Sequence, residues 1–313
     1  MGSPHDPARA PAAPPAPETG AAFTTWLPAA AFAGCTLIWS STFLLISIGN
    51  DSLPPVWAAS LRLLLAALIL GAIAIARGGL PRGAAARAAT WYGLLQFGIN
   101  FPLLYWGEKV IPSGLAAVLY ATVPLSSAVF AHAFGLERVT PLKVAAAVVG
   151  LCGVAVIFGG QVHGAIPVMP FVAVVAGATT GSLSLVMLKR GPRQSPFGAN
   201  AWGAAVGLPL CLAASFALGE PHPLPLTRGA LVPLLYLTLA GSVGAYVLIA
   251  WLVHRWPVTR ISFIGVITPM IAVALGWLVR GERLRPAAFL GSLMVVAGVM
   301  LSVLSDRRRS SAV

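Results

Sequence analysis

Charge is what this sequence has least of. Only 9% of its 313 residues are Asp, Glu, Lys or Arg, against about 25% in a soluble globular domain. A chain so poor in charge cannot cover a water-facing surface of its size, which excludes an ordinary soluble enzyme. Its 58% apolar content excludes a wholly disordered protein. Acidic side chains are scarcest. The eight are Asp6, Glu18, Asp51, Glu108, Glu137, Glu220, Glu282 and Asp306, all in tails, loops or the ends of apolar runs. No carboxylate stands in the middle of such a run to carry a coupling proton or Na⁺, which weakens carboxylate-based proton antiport and favours facilitated diffusion. Cysteine is limited to Cys35, Cys152 and Cys211, without the spacing of a disulfide framework or a metal site. Also missing are a phosphate-binding glycine-lysine loop, a metalloprotease helix and a nucleophile elbow. ATP hydrolysis by this chain is thereby excluded, and neither enzymatic chemistry nor a cofactor is expected.

What the chain does contain is long apolar runs. A bilayer core takes about 20 apolar residues per helix. Ten candidate spans fall at 27–48, 55–76, 91–108, 111–135, 141–160, 167–188, 197–218, 230–253, 258–279 and 286–305. The expected fold is all-α and integral to the membrane, ten transmembrane helices with short loops and no separate soluble domain. Residues 1–26, rich in Ala and Pro, are expected to be a disordered cytoplasmic tail without a cleavable signal peptide, and 306–313 a basic cytoplasmic tail.

The net charge of +12 then has a simple reading. Ten spans put both termini on one side. With the termini in the cytoplasm, fourteen basic residues lie inside: Arg9, Arg77, Arg82, Arg87, Arg138, Lys143, Lys189, Arg190, Arg193, Arg255, Arg260, Arg307, Arg308 and Arg309. Six lie outside or near the outer end of a span: Arg62, Lys109, Arg228, Arg280, Arg283 and Arg285. That bias predicts cytoplasmic termini in a bacterial inner membrane. The basic residues report topology rather than nucleic-acid binding, so the expected partners are the bilayer and a small-molecule substrate, with the chain a monomer or homodimer. Trp26, Trp57, Trp91 and Trp256 fall near span ends, where an aromatic belt belongs.

Shifting the sequence by 145 residues places Trp106 on Trp251, Pro112 on Pro257, Pro124 on Pro269, Glu137-Arg138 on Glu282-Arg283, Pro141 on Pro286 and Gly153 on Gly298. One coincidence means little; this many at one gapless offset mark a duplication. Each unit holds five spans, an odd number, so the second enters the membrane inverted. The units are expected at 27–160 and 167–305. Inverted repeats are the architecture of many secondary transporters, with the substrate between the halves near mid-bilayer and alternating access arising from their exchange.

These residues also carry a resemblance. The stretch IPSGLAAVLYATVPLSSAVFAHAFGLERVTPLKVAAAVVGLCGVAVIF resembles the C-terminal part of an EamA repeat. WPVTRISFIGVITPMIAVALGWLVRGERLRPAAFLGSLMVVAGVML resembles a second copy, and LIWSSTFLLISIGNDSLPPVWAASLRLLLAALIL the opening of the first. The chain is thus similar to the drug/metabolite transporter superfamily over about 28 to 305. The resemblance implies ten helices in two inverted halves and export of amino acids or other metabolites. The segment GATTGSLSLVMLKRG departs from the Trp-containing opening of the family's second copy.

Polar residues at membrane depth are costly unless they face a cavity or another helix. The candidate substrate-binding set is Trp39, Ser40, Thr42, Arg62, Gln96, Asn100, Tyr120, Thr180, Ser184 and Tyr246. Ser and Thr hydroxyls can instead bond their own helix. Gln96 and Asn100, one turn apart on one face, and Tyr120 need partners beyond it. Trp39 and Tyr246 lie inside their spans, as cavity walls or as helix-packing aromatics. Arg62 either snorkels to the outer interface or meets a substrate carboxylate or phosphate. Pro124 and Pro269 each remove a helical hydrogen bond, making them candidate hinges or static kinks. Glu137 and Glu282 sit in tight turns ahead of Pro141 and Pro286 and are read as structural. Gly177 with Gly181, and Gly203 with Gly207, have the spacing of close helix contacts, including those of dimers. Transport of a neutral or zwitterionic metabolite is the expectation. The alternatives are nucleotide-sugar or phosphorylated-metabolite exchange by the same fold, a passive channel, a membrane scaffold, or an intramembrane enzyme, for which no catalytic dyad is visible.

Overall fold

In lipid a backbone finds no hydrogen-bond partner but itself, so apolar runs rich in Ala and Leu close into helices. The computed structural model describes residues 20–136, 141–161, 167–252, 255, 258–282 and 286–310. It is 84% helix, with no strand among the described residues.

The helices are α1 (Gly20–Asn50), α2 (Pro55–Ala76), α3 (83–107), α4 (Ser113–Ala133), α5 (Pro141–Gln161), α6 (Val168–Arg190), α7 (Pro196–Ala217), α8 (Arg228–Leu252), α9 (Val258–Arg280) and α10 (Pro286–Ser310). Proline is the first residue of α2, α5, α7 and α10, where a missing N–H costs nothing and φ is already set. α1 starts at Gly20, inside the expected tail, and α10 runs on to Ser310 through most of the basic one. α3 starts at Gly83 because the Ala-rich stretch ahead of Trp91 is helix-forming wherever it lies. Asp6, Arg9, Glu18, Glu137, Arg138, Trp256, Pro257, Arg283 and Arg285 fall outside the described residues.

Among the described residues, six stretches are long and apolar enough to cross a membrane: Trp26–Asn50, Pro55–Ala76, Ser113–Ala133, Val168–Arg190, Pro196–Ala217 and Arg228–Leu252. Ile267–Arg280 and Phe289–Gly298 are shorter apolar helices. The outer surface is apolar, with Leu68, Ile75, Phe216, Trp277 and Phe289 all exposed, whereas Arg62, Gln96, Asn100, Glu108 and Asn200 are buried. Apolar outside and polar inside is the distribution of a multi-pass membrane protein.

The packing has a regularity. α2 lies along α7, α4 against α9, and α5 along α10; α3 touches α6 and α7 as α8 touches α1 and α2; α4 touches α6 as α9 touches α1. Exchanging α1–α5 with α6–α10 returns the first three pairings to themselves and turns each of the others into another of the set. Glycine makes the closest of them possible. A Cβ on Gly153 would lie 2.6 Å from the Gly291 carbonyl oxygen, and one on Gly298 2.7 Å from that of Ala146. The two glycines that match at the 145-residue offset therefore mark the contact of α5 with α10. Gly203 and Gly207 are consumed within the chain as well: a Cβ on Gly207 would meet the Gly93 oxygen at 2.9 Å. Their spacing serves α3 against α7 rather than a second copy.

One end of the bundle, which carries Asp51, is latched by carboxylates. Glu220 accepts from the backbone N–H groups of Val56 and Trp57 at 3.1 and 2.8 Å and from Ser215 Oγ at 2.7 Å. Glu282 accepts from Ser113 N and Oγ and from Gly114 N at 2.9–3.1 Å. Both carboxylates satisfy free donors at a helix N-terminus, where the helix dipole favours negative charge. Asp51 pairs with Arg280 at 2.6 Å, and that guanidinium holds its carboxyl below the ordinary range.

Candidate functional site

Among the described residues, two helices contain a π-helical stretch. Leu94–Asn100 of α3 and Leu237–Ala245 of α8 are π-helical turns, a form common at functional sites. The first ends directly before Phe101, the second directly before Tyr246, and these two residues match at the 145-residue offset. Their rings meet at 6.1 Å. The wide turns gather the polar side chains around this pair.

Arg62 reaches inward from α2 and is 2% exposed. Its Nε donates to Ser242 Oγ at 2.8 Å and its Nη1 to Tyr105 OH at 3.1 Å, and the guanidinium lies 4.6 Å over the Phe101 ring. It does not snorkel. Gly241 leaves room for it: a Cβ there would be 2.8 Å from Nη2 and 3.8 Å from Thr42 Oγ1. Among the described residues no carboxylate pairs with Arg62, so a buried cation is held by neutral donors-acceptors and an aromatic face alone.

Gln96 and Asn100 form the next layer. Gln96 Nε2 donates to Tyr246 OH at 3.0 Å while its Oε1 accepts from Ser184 Oγ at 2.8 Å. Asn100 Oδ1 accepts from Tyr120 OH. Gly177 and Gly181 of α6 provide the space, since a Cβ on Gly181 would lie 2.6 Å from Asn100 Nδ2 and one on Gly177 3.0 Å from Tyr120 OH. Aromatic rings close the cluster. Tyr246 packs on Trp39 at 5.9 Å and Phe97 at 5.3 Å, and Tyr120 on Phe43 at 5.4 Å.

Seven of the ten residues expected from sequence therefore meet here: Trp39, Arg62, Gln96, Asn100, Tyr120, Ser184 and Tyr246. The hydroxyls of Ser40, Thr42 and Thr180 turn onto their own helices, bonding Thr36 O, Ile38 O and Ala176 O at 2.6, 2.8 and 3.0 Å. Of these Thr42 still borders the Arg62 pocket. Ser242, Phe97 and Phe101 were not singled out. The small-residue run AGSVGA ahead of Tyr246 is the one sequence signal that marks Ser242. Asn200 holds Tyr92 OH at 2.9 Å and the Tyr246 carbonyl at 3.2 Å, so it supports the cluster from behind.

The matched prolines differ. α4 breaks at Ala121 and Thr122 and restarts before Pro124, whereas α9 continues through Pro269. Thr122 explains the contrast. Its hydroxyl donates to the Leu119 carbonyl at 2.6 Å, in competition with the backbone, and the position that matches it in α9 is Ile267.

Glu108 departs from the sequence expectation. It lies at a span end, as read, but is 3% exposed. Among the described residues neither of its oxygens has a hydrogen-bond partner.

Comparison with known proteins adds family and fold. The pattern described as EamA-like transporter family matches the chain twice, over residues 26–159 and 168–304. An uncharacterized inner membrane transporter of Escherichia coli K12, YedA, is 30% identical over 86% of this chain and 88% of its own. A protein of Salmonella typhimurium named a probable amino-acid metabolite efflux pump is 26% identical over 88% of this chain and 94% of its own. One of Streptantibioticus cattleyicolor, named a probable terminal-alkyne amino-acid exporter, is 28% identical over 87% and 93%. A solved structure described simply as a crystal structure of a protein superposes with a TM-score of 0.61 at 20% identity, covering 90% of this chain and 98% of that one.

Proposed function

The chain belongs to the EamA-like transporter family, and on that premise we propose that it exports a small amphipathic metabolite, an amino acid or a close relative, by alternating access. The reading takes the bundle as ten spans in two inverted halves, 27–160 and 167–305, with both termini in the cytoplasm. The 145-residue offset, the exchangeable packing pairs and the two matched π turns support it.

One observation carries the substrate class: a buried guanidinium with no carboxylate partner among the described residues, inside an otherwise neutral ring of amide, hydroxyl and aromatic groups. Such a cation suits one substrate carboxylate, held by a charge-assisted fork. Gln96, Asn100, Tyr120 and Tyr246 would meet the ammonium and side chain, and the rings the apolar part. Nucleotide sugars and phosphorylated metabolites carry more negative charge than one guanidinium balances, which favours the zwitterion. The carboxylate latches keep the Asp51 end, extracellular in this orientation, closed. Export then requires Glu220, Glu282 and Asp51 to let go as the halves rock, with the break in α4 and Pro269 in α9 as the bending points.

Replacing Asn100 by Ala tests the site. Tyr120 loses its acceptor and the substrate a polar contact, so apparent affinity for the transported amino acid falls about tenfold, the worth of one to two hydrogen bonds. Folded yield stays near wild type. Saturation kinetics in proteoliposomes read the effect, and an unchanged half-saturation concentration removes Asn100 from the site.

A further inference from the structure

Glu108 is left unused by the transport site. It follows directly on α3 and opens the turn that leads to Ser113, the residue Glu282 holds. Every other acidic side chain described at this end is satisfied: Asp51 by Arg280, Glu220 by Val56, Trp57 and Ser215, Glu282 by Ser113 and Gly114. Glu108 is buried like the core around it, yet both its oxygens lack donors among the described residues. Among the described residues, the titratable groups that act on it from the surrounding elements are Tyr105, Tyr120 and Glu282, and none of the three is a cation. An ionised carboxylate buried without a partner costs several kcal/mol, whereas the neutral acid escapes most of that penalty.

We propose that Glu108 is an exchangeable proton-binding site, which holds a proton while the Asp51 end is closed and releases it to water when that end opens. Loosening the Ser113–Glu282 latch moves the 108–112 turn and hydrates the carboxyl; the O–H bond breaks, the carboxylate stays on the protein and the proton passes to water. An exposed Glu titrates near pH 4.3, so at neutral pH each closure takes one proton up from that side. In the orientation proposed above, which this statement of sidedness rests on, the side is extracellular. The opening equilibrium then shifts toward open by about tenfold per pH unit, since one proton is linked to one transition. Acid outside holds the gate shut. The scarcity of acidic residues therefore does not exclude proton linkage, because one buried carboxylate suffices.

Hydrogen–deuterium exchange on the full chain in proteoliposomes tests this without any substrate, so its outcome is independent of whether amino acids are transported. Wild type and Glu108→Gln are compared at the same pH over about pH 5.5–8.5, which cancels the intrinsic chemistry of exchange and leaves Asp51 ionised throughout. The expected result is a wild-type to variant exchange ratio in peptides spanning 105–120 that climbs by up to about tenfold per pH unit, with α7 peptides unchanged. Infrared spectroscopy gives a second reading: a protonated carboxylic C=O band at neutral pH in the wild type that vanishes in Glu108→Gln. A pH-independent ratio, or an infrared spectrum with no band lost in the variant, overturns the proposal. So does a slope that persists in Glu108→Gln, which would assign the linkage to Glu282 or to His222 beside Ser215.

Discussion

Replacing Arg62 by methionine weakens saturable transport of carboxylate-bearing solutes by about one to two orders of magnitude and leaves the protein folded. The side chain contributes a charge-assisted fork to the substrate, worth about 1.5–3 kcal/mol, so apparent affinity drops by about ten- to a hundredfold. Stability behaves differently. Arg62 is a buried cation with no carboxylate among the described residues, and replacing a buried charge by an apolar side chain of similar volume is often neutral or stabilising. Against that stand the Ser242 and Tyr105 hydroxyls, which lose their Arg62 contacts at a cost of about 1–3 kcal/mol. The two effects offset, so the melting temperature moves by only a few degrees while transport is strongly weakened. Arg62→Lys keeps the charge and loses the fork, and falls between the two. Thermal unfolding in detergent, measured beside proteoliposome flux, separates the readings. A methionine variant that fails to fold but whose residual protein transports normally would make Arg62 a structural cation.

The second large effect is on folding. A Cβ on Gly93 would lie 2.4 Å from the Gly203 carbonyl oxygen and 2.5 Å from its Cα, contacts with backbone that no rotamer change relieves. Gly93→Ala therefore forces α3 and α7 apart and is expected to cost about 3 kcal/mol or more, enough to remove most folded protein. For Gly203→Ala the nearest atoms are ring atoms of Phe97 and Tyr92 at 3.1–3.2 Å and Gly93 Cα at 3.3 Å, and it is expected to cost less. Gly71 is the control. A Cβ there touches nothing within 4 Å, and Ala in that helix interior should stabilise by about 0.5–1 kcal/mol. Size-exclusion profiles after heating rank the three. Gly93→Ala as stable as wild type would contradict the backbone contact of α3 with α7.

These residues also show how far the sequence could be read. Apolar runs, the 145-residue offset and the helix-opening prolines were visible because they depend on local composition. The direction of Arg62 was not. α2 is apolar on every side, so no polar stripe shows which face turns inward, and the choice between snorkelling and burial is made by Ser242 and Tyr105 from other helices. Nor were the π turns: Gly98, Gly241 and Gly244 weaken these stretches as α-helix, but composition does not specify a wider turn, and tertiary packing around Phe101 and Tyr246 sets it. Glycine spacing predicted close contact correctly but could not name the partner, which for Gly203 is Gly93 and for Gly181 is Asn100. Glu108 was placed at a span end by sequence, yet only the fold shows that the turn around it excludes water and donors.

Counterflow in proteoliposomes tests the central claim most directly. Vesicles preloaded with one unlabelled neutral amino acid at a time are diluted into a trace of the labelled compound, across a panel of neutral amino acids. The account predicts that at least one accumulates transiently, saturates, and loses the overshoot in Arg62→Met. Flux that rises linearly with concentration and ignores the solute on the far side, or no flux across the whole panel, would contradict it.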